Sequence, residues 1–269
     1  MGASKATSRY GNAGSPRTSH GLRGRFVESL FWQERKFWIL CASLALVILL
    51  GGGSRSDIQS LIVLRPISML VFGYALAALT SDVVRQNSFI LGLAALWIAL
   101  PLLQLVPLPP SIWQLLPGRE IIVEIDHTAG LGDIWRPMTM TPAETRNALW
   151  SSFAPLATLV LAVQQTLYQQ ARLVGIVLVL GLASAFLGLV QVLDEPLGPF
   201  YLYAVTNNGA AVGLFANRNH QALLLASMIP MLYVWARVHR GVRQRWGMVG
   251  LSGREIGALL ASLFLIPLI

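Results

Sequence analysis

The sequence predicts an all-α fold, a polytopic transmembrane helix bundle of about seven spans, and three observations carry that prediction. Of 269 residues, 55% are hydrophobic and only 12% are charged, whereas a water-soluble domain carries about a quarter charged residues. The mean hydropathy of +0.61 points the same way. The apolar residues are also gathered into runs close to the roughly 20 residues that a helix needs to cross a hydrocarbon core. Backbone groups in lipid must be hydrogen-bonded within their own segment, so such runs are helices.

Taken in order, residues 1 to about 30 are rich in Ser, Gly, Ala and Arg and bury too little surface to fold, which predicts a mobile tail. "FVESLFWQERKFW" (26–38) is amphipathic and suited to the membrane surface, so 1–36 is assigned to a cytoplasmic tail and interfacial segment. The membrane domain, 37–269, contains apolar runs at 37–53, 59–80, 88–106, 147–165, 173–193, 220–236 and 256–269. The leader before the first run is too long for a typical signal peptide, so that run is expected to be a retained anchor. The last run reaches the end of the sequence without a cap or polar flank, as a span cut short would.

Lys and Arg orient the bundle. With the N-terminus in the cytoplasm, 14 of the 20 fall inside and 6 outside, as the positive-inside rule requires. The N-terminal tail supplies half of the inside set, and the basic loop 237–254, an anchor against anionic lipid, supplies most of the rest. Two substantial segments then lie outside, near 107–146 and 194–219. In the first, "PLPP" turns the chain at the membrane surface, and Trp113, Trp135 and Trp150 suit an interfacial aromatic belt. The small residues Gly175, Gly181, Ala183, Ser184 and Gly188 suit close helix packing.

Composition also excludes functions. A net charge of +8 and a pI near 10.4 fit cytoplasmic ends facing anionic membrane lipids, and no aromatic-basic patch points to nucleic acid. The single cysteine, Cys41, allows no intrachain disulfide, and the histidines and cysteine have no metal-ligand spacing, so neither metal nor cofactor is expected.

The polar cluster in "GLFANRNHQALLL" (213–225) is the main candidate site. Gly213 permits an unusual turn, and Asn217 or Asn219 can cap the helix that follows. Arg218 brings a planar fork of donors suited to phosphate, beside the positive end of a helix dipole. From the residues alone two readings stand level: a phosphate site at the external face, or an ordinary cap with Arg218 snorkelling and His220 solvated. Arg65, at the outer start of the second span with Pro66 in a first turn, either faces a lumenal cavity or snorkels. His127 reads as a solvated surface residue, Arg136 and Arg146 as salt-bridging residues, and "DEPLGP" (194–199) as a turn.

"GLFANRNHQALLL" resembles the segment that opens a membrane helix in the O-antigen ligase and O-antigen polymerase superfamily. "LLQLVPLPPSIWQLLPGR" (102–119) looks like the third-span exit of its bacterial members. "GGGSRSD" (51–57), "LRP" (64–66) and "MTMTPAETRNAL" (138–149) follow in the same order. The resemblance implies a metal-independent, multi-pass glycosyltransferase of the bacterial inner membrane. It would move a glycan from an undecaprenyl diphosphate carrier to lipid A–core in a ligase, or to another repeat unit in a polymerase. It implies that Arg218, Asn217, Asn219 and Arg65 bind the substrate diphosphate. The family's later helices, large external loop and histidine have no counterpart within these residues, so the chain is expected to be an N-terminal part, and His220 does not take that histidine's role. A lipid or solute transporter, or a non-catalytic membrane protein, are the alternatives.

Overall fold

The computed structural model of the protein describes residues 19–53, 58–195, 198–237 and 253–269. It is mainly helical. Helix α1 (Ser19–Leu50) runs without a break through the amphipathic segment into the first apolar run, and so begins within the stretch expected to be tail. Residues 1–18 of that tail and 238–252 of the basic loop lie outside the described residues. There follow α2 (Ser60–Ala77), the short α3 (Ser81–Gln86) and α4 (Ser88–Gln104). After the connecting segment that follows α4 come α7 (Pro142–Ala162), α8 (Leu167–Leu193), α9 (Arg218–Arg237) and α10 (Gly253–Leu265). Among the described residues, α2 and α8 are long and apolar enough to cross a membrane, and α4, also apolar, is shorter.

Contacts at opposite ends fix the helix directions. At one end, Lys36 Nζ of α1 donates to the Ala78 carbonyl after α2 (3.0 Å) and to Gln164 Oε1 after α7 (3.1 Å). At the other, Ser60 Oγ donates to the Leu50 carbonyl of α1 (2.7 Å), and Arg65 of α2 donates to Asn147 of α7. Helices α2 and α7 therefore run parallel to each other and antiparallel to α1. On the other side of the bundle α8 and α9 are antiparallel: Ser184 meets Gln221, and Gly181 lies under Met228, whose sulfur would collide with any added Cβ. Gly188 backs onto Ala211 and Gly213, and Gly175 onto Trp235, so these small residues serve packing; Ala183 is exposed. Two apolar clusters result, one around Leu225 and Met228 between α8, α9 and α10, the other around Leu40, Ala75 and Leu161 between α1, α2 and α7.

The surface inverts the usual pattern. Phe89 (79%), Ile62 (75%) and Leu70 (74%) are exposed on the helix faces, while Gln164, Ser184, Gln191 and Gln221 are buried. An extensive apolar exterior of this kind marks contact with a partner or with lipid.

Several expectations change. Pro66 is not in a first turn: α2 starts at Ser60, so Pro66 lies in the helix interior, where its ring removes one backbone bond. The segment 107–146 is more than a loop. Strand β1 (Pro107–Leu108) pairs antiparallel with β2 (Arg136–Pro137), and between them fold α5 (Pro110–Trp113) and α6 (Glu120–Thr128). Trp113 is not an interfacial residue but the fully buried centre of this unit, with its indole N–H donating to the Ile134 carbonyl (2.9 Å). A ring that large gains more from a dry pocket with a partner for its N–H than from the interface. Trp135 and Trp150 are exposed. Arg136 pairs through two nitrogens with the buried Asp126 and lies over the Trp113 ring (5.8 Å), so the predicted salt bridge is an internal brace; that bond raises the Arg136 pKa above its ordinary value. Arg119, also buried, donates to the Met138 carbonyl.

Candidate functional site at the Arg65 end of the bundle

The chain entering α9 is held by buried polar side chains of α8. Gln191 Oε1 accepts from the amides of Val212 (3.1 Å) and Gly213 (2.8 Å), and its Nε2 donates to the Gly213 carbonyl (3.0 Å). Ser184 Oγ accepts from the Leu214 amide (3.1 Å) and donates to Gln221 Oε1 (2.7 Å). Gly213 has φ +56°, the left-handed region, and a Cβ there would strike Ser184 and Gln221. Only glycine fits both conditions. Gln221, one of the five consecutive polar residues, is thus a buried strut.

Helix α9 begins at Arg218, so Asn217 is the cap and Asn219 is not. Asn217 Oδ1 accepts from the Asn219 amide (2.8 Å), while the amides of His220 (3.1 Å) and Gln221 (3.3 Å) reach the Asn217 carbonyl. The Arg218 amide donates to Asn207 Oδ1 (3.1 Å). All four leading N–H groups are therefore taken within the chain, and an anion arriving here would meet side-chain donors. Those donors are available: Arg218 and Asn219 are exposed, and among the described residues the Arg218 guanidinium has no ion-pair or hydrogen-bond partner. His220 is exposed beside Phe215, edge to face at 6.3 Å.

Arg65 is half-buried on α2. Its Nη2 donates to Asn147 Oδ1 and, at 3.5 Å, faces Ser151 Oγ, whereas its Nε is buried without a partner. A buried unpaired donor on a charged group costs about 1–3 kcal/mol or more, which an acceptor entering the groove would relieve. That groove, of about 510 Å³, is lined by Ile58, Gln59, Ile62, Arg65, Met69 and Trp150 among others. Ile58 and Gln59 also line a second hollow of about 670 Å³, bounded by Leu50, Leu202, Tyr203 and Ala216. The two arginines are not in contact. Arg65 lies in the first hollow, and Arg218 follows by two residues the Ala216 that borders the second.

The 214–216 segment is joined to the residues that follow α1. The Ala216 amide donates to the Gly52 carbonyl (2.8 Å), and a Cβ on Gly52 would strike the Leu214 carbonyl and approach Tyr203 Oη to 2.8 Å. Burial pushes the Tyr203 phenol above its ordinary pKa, partly opposed by a hydrogen bond with the Gly52 backbone. Sequence reasoning missed Asn147 and Ser151, although two polar residues four apart at the head of an apolar run mark one helix face. It also missed Gln59 and Tyr203, which carry no local signal.

His127 and Arg146 are exposed, and the Gly198 amide donates to the Glu195 carbonyl (2.8 Å), while Pro196 and Leu197 of the expected turn lie outside the described residues. Among the described residues no group of His, Cys, Asp or Glu is placed to hold a metal ion. Compared with family models, curated proteins and solved structures, the chain gives no match.

Proposed function

We propose that the chain is a polytopic protein of the bacterial inner membrane, with about seven spans and a cytoplasmic N-terminus, acting in cell-surface polysaccharide assembly as an O-antigen ligase-like glycosyltransferase. Helices α1, α2, α4, α7, α8, α9 and α10 are the spans. The substrate is a glycan on undecaprenyl diphosphate, and the acceptor is a hydroxyl of lipid A–core. In the transfer the anomeric C–O bond to the diphosphate breaks and a bond to the acceptor oxygen forms. The acceptor proton is lost, and undecaprenyl diphosphate departs with its bonding electron pair. Arg65 and Arg218, with Asn217 and Asn219, hold the diphosphate and stabilise the charge that grows on it.

The observation that carries this reading is the presence, at one end of the bundle, of one arginine with an unpartnered buried Nε and of a second, exposed arginine that has no partner among the described residues. The apolar helix exterior and the resemblance of residues 213–225 support it. The test is surface-glycan display by the full-length protein carrying Arg218→Ala. Ladders on lipid A–core are expected to vanish while the protein still inserts, and carrier-linked glycan accumulates. Ladders of wild-type intensity would overturn the assignment. If only single repeat units remained on lipid A–core, the polymerase reading would replace the ligase.

A further inference from the structure

The two hollows that meet at Ile58 and Gln59 differ in chemistry. The first holds a guanidinium among apolar side chains. None of the described residues lining the second is charged; it offers Gln59, Ser60 and the Tyr203 phenol beside Leu50, Leu202 and Val205. Resting on the proposed diphosphate role of Arg65, we infer that the second hollow is the seat of the carrier-proximal sugar, with Gln59 as the residue that recognises it.

A diphosphate goes where the fixed positive charge is, because moving it into a hollow whose described lining carries no charge would leave its own charge uncompensated. A sugar is neutral and has two needs, which the neighbouring hollow meets. Its hydroxyls both donate and accept, and among uncharged side chains the primary amide offers both functions at fixed geometry. The Gln59 amide is exposed, has no hydrogen-bond partner among the described residues and stands at the junction of the hollows. The apolar C–H faces of a sugar ring need an apolar or aromatic wall, which Leu202, Val205 and the Tyr203 ring supply. Tyr203 is also fixed in place by Gly52, so the wall is built before the ligand arrives. A mostly apolar hollow with a few placed polar groups is the usual form of a small-molecule site.

The experiment uses the full-length protein in lipid nanodiscs and two probes, undecaprenyl diphosphate and the same lipid carrying one N-acetylhexosamine. Wild type is expected to bind the sugar-bearing probe more tightly. Gln59→Ala should weaken that probe by about three- to tenfold, the worth of one or two neutral hydrogen bonds, and leave the sugar-free probe unchanged. Arg65→Ala should weaken both probes. Equal loss of both probes in Gln59→Ala, or loss of neither, overturns the sugar seat while the diphosphate reading stands. Failure of wild type to bind either probe, or an Arg65→Ala protein that binds both normally, overturns the diphosphate reading and the inference with it.

Discussion

At the Lys36 end of the bundle, Gln33, Lys36, Gln164 and Gln169 bond to one another and to helix-terminal carbonyls. Gln33 Nε2 donates to the Gln164 carbonyl (3.0 Å) and to Gln169 Oε1 (3.1 Å), and Gln164 Nε2 to the Ala75 carbonyl (2.9 Å). Thr166 and Gln169 complete the knot by capping α8 reciprocally. At the Arg65 end Gln191 and Ser184 of α8 are used up in the same way, on the turn at Gly213. Arg65 Nε, Gln221 Nε2, the Gln59 amide and the Arg218 guanidinium are left over among the described residues. Buried polar groups that find partners inside the chain stabilise its geometry, and the few that do not are where a ligand has something to offer. Both ends are polar and each keeps unpartnered buried atoms, Tyr74 Oη and Gln165 Oε1 near Lys36 and Arg65 Nε and Gln221 Nε2 at the other, but only the Arg65 end has a guanidinium among them.

Substitutions at each end can break or sharpen that contrast. The largest effect is expected from Arg65→Ala or Arg218→Ala, which should reduce glycan transfer by about 10²–10³-fold, the scale of losing one donor to developing charge. Membrane levels should stay constant, with lipid A–core ladders as the readout. Next, Gly213→Ala should destabilise the protein by about 3 kcal/mol in a detergent thermal-unfolding assay, from a left-handed φ and collision with Ser184 and Gln221 together. Gly209→Ala, at φ +75° but in open space, should cost only about 1 kcal/mol, and equal losses would show that packing around Gly213 is unimportant. At the opposite end, Lys36→Met removes donors to the Ala78 carbonyl and Gln164. It should cost about 2 kcal/mol of stability and leave transfer per folded molecule unchanged; a selective loss of transfer would end the division between the two ends. The smallest effect is that of Asn217→Ala, about 1 kcal/mol for the cap, with Asn217→Asp near wild type in the same assay.

Much of this was legible along the chain. The apolar runs placed the long helices because each must close its own backbone bonds, and Gly213 and the Asn217 cap are local requirements that a short window displays. The Asn217/Asn219 ambiguity could not be resolved locally, since either side chain can reach an amide two residues on. It was settled by where the turn held by Gln191 and Ser184 releases the chain. Trp113 misled because burial and interface location ask for the same side chain. What decided it was the Ile134 carbonyl, brought 21 residues back along the chain to the indole.

By itself, then, the sequence determined the helical class, the order of the long apolar segments, the glycine turn and the arginines worth testing, because periodicity, length and backbone sterics act over a few residues. Tertiary structure alone decided which polar groups are consumed and which stay free. Partners such as Gln33 with Gln164, Arg65 with Asn147 and Gly52 with Ala216 lie far apart in the chain. Hydrogen-bond satisfaction is a sum over neighbours in space, and no stretch of sequence carries its own half of that sum.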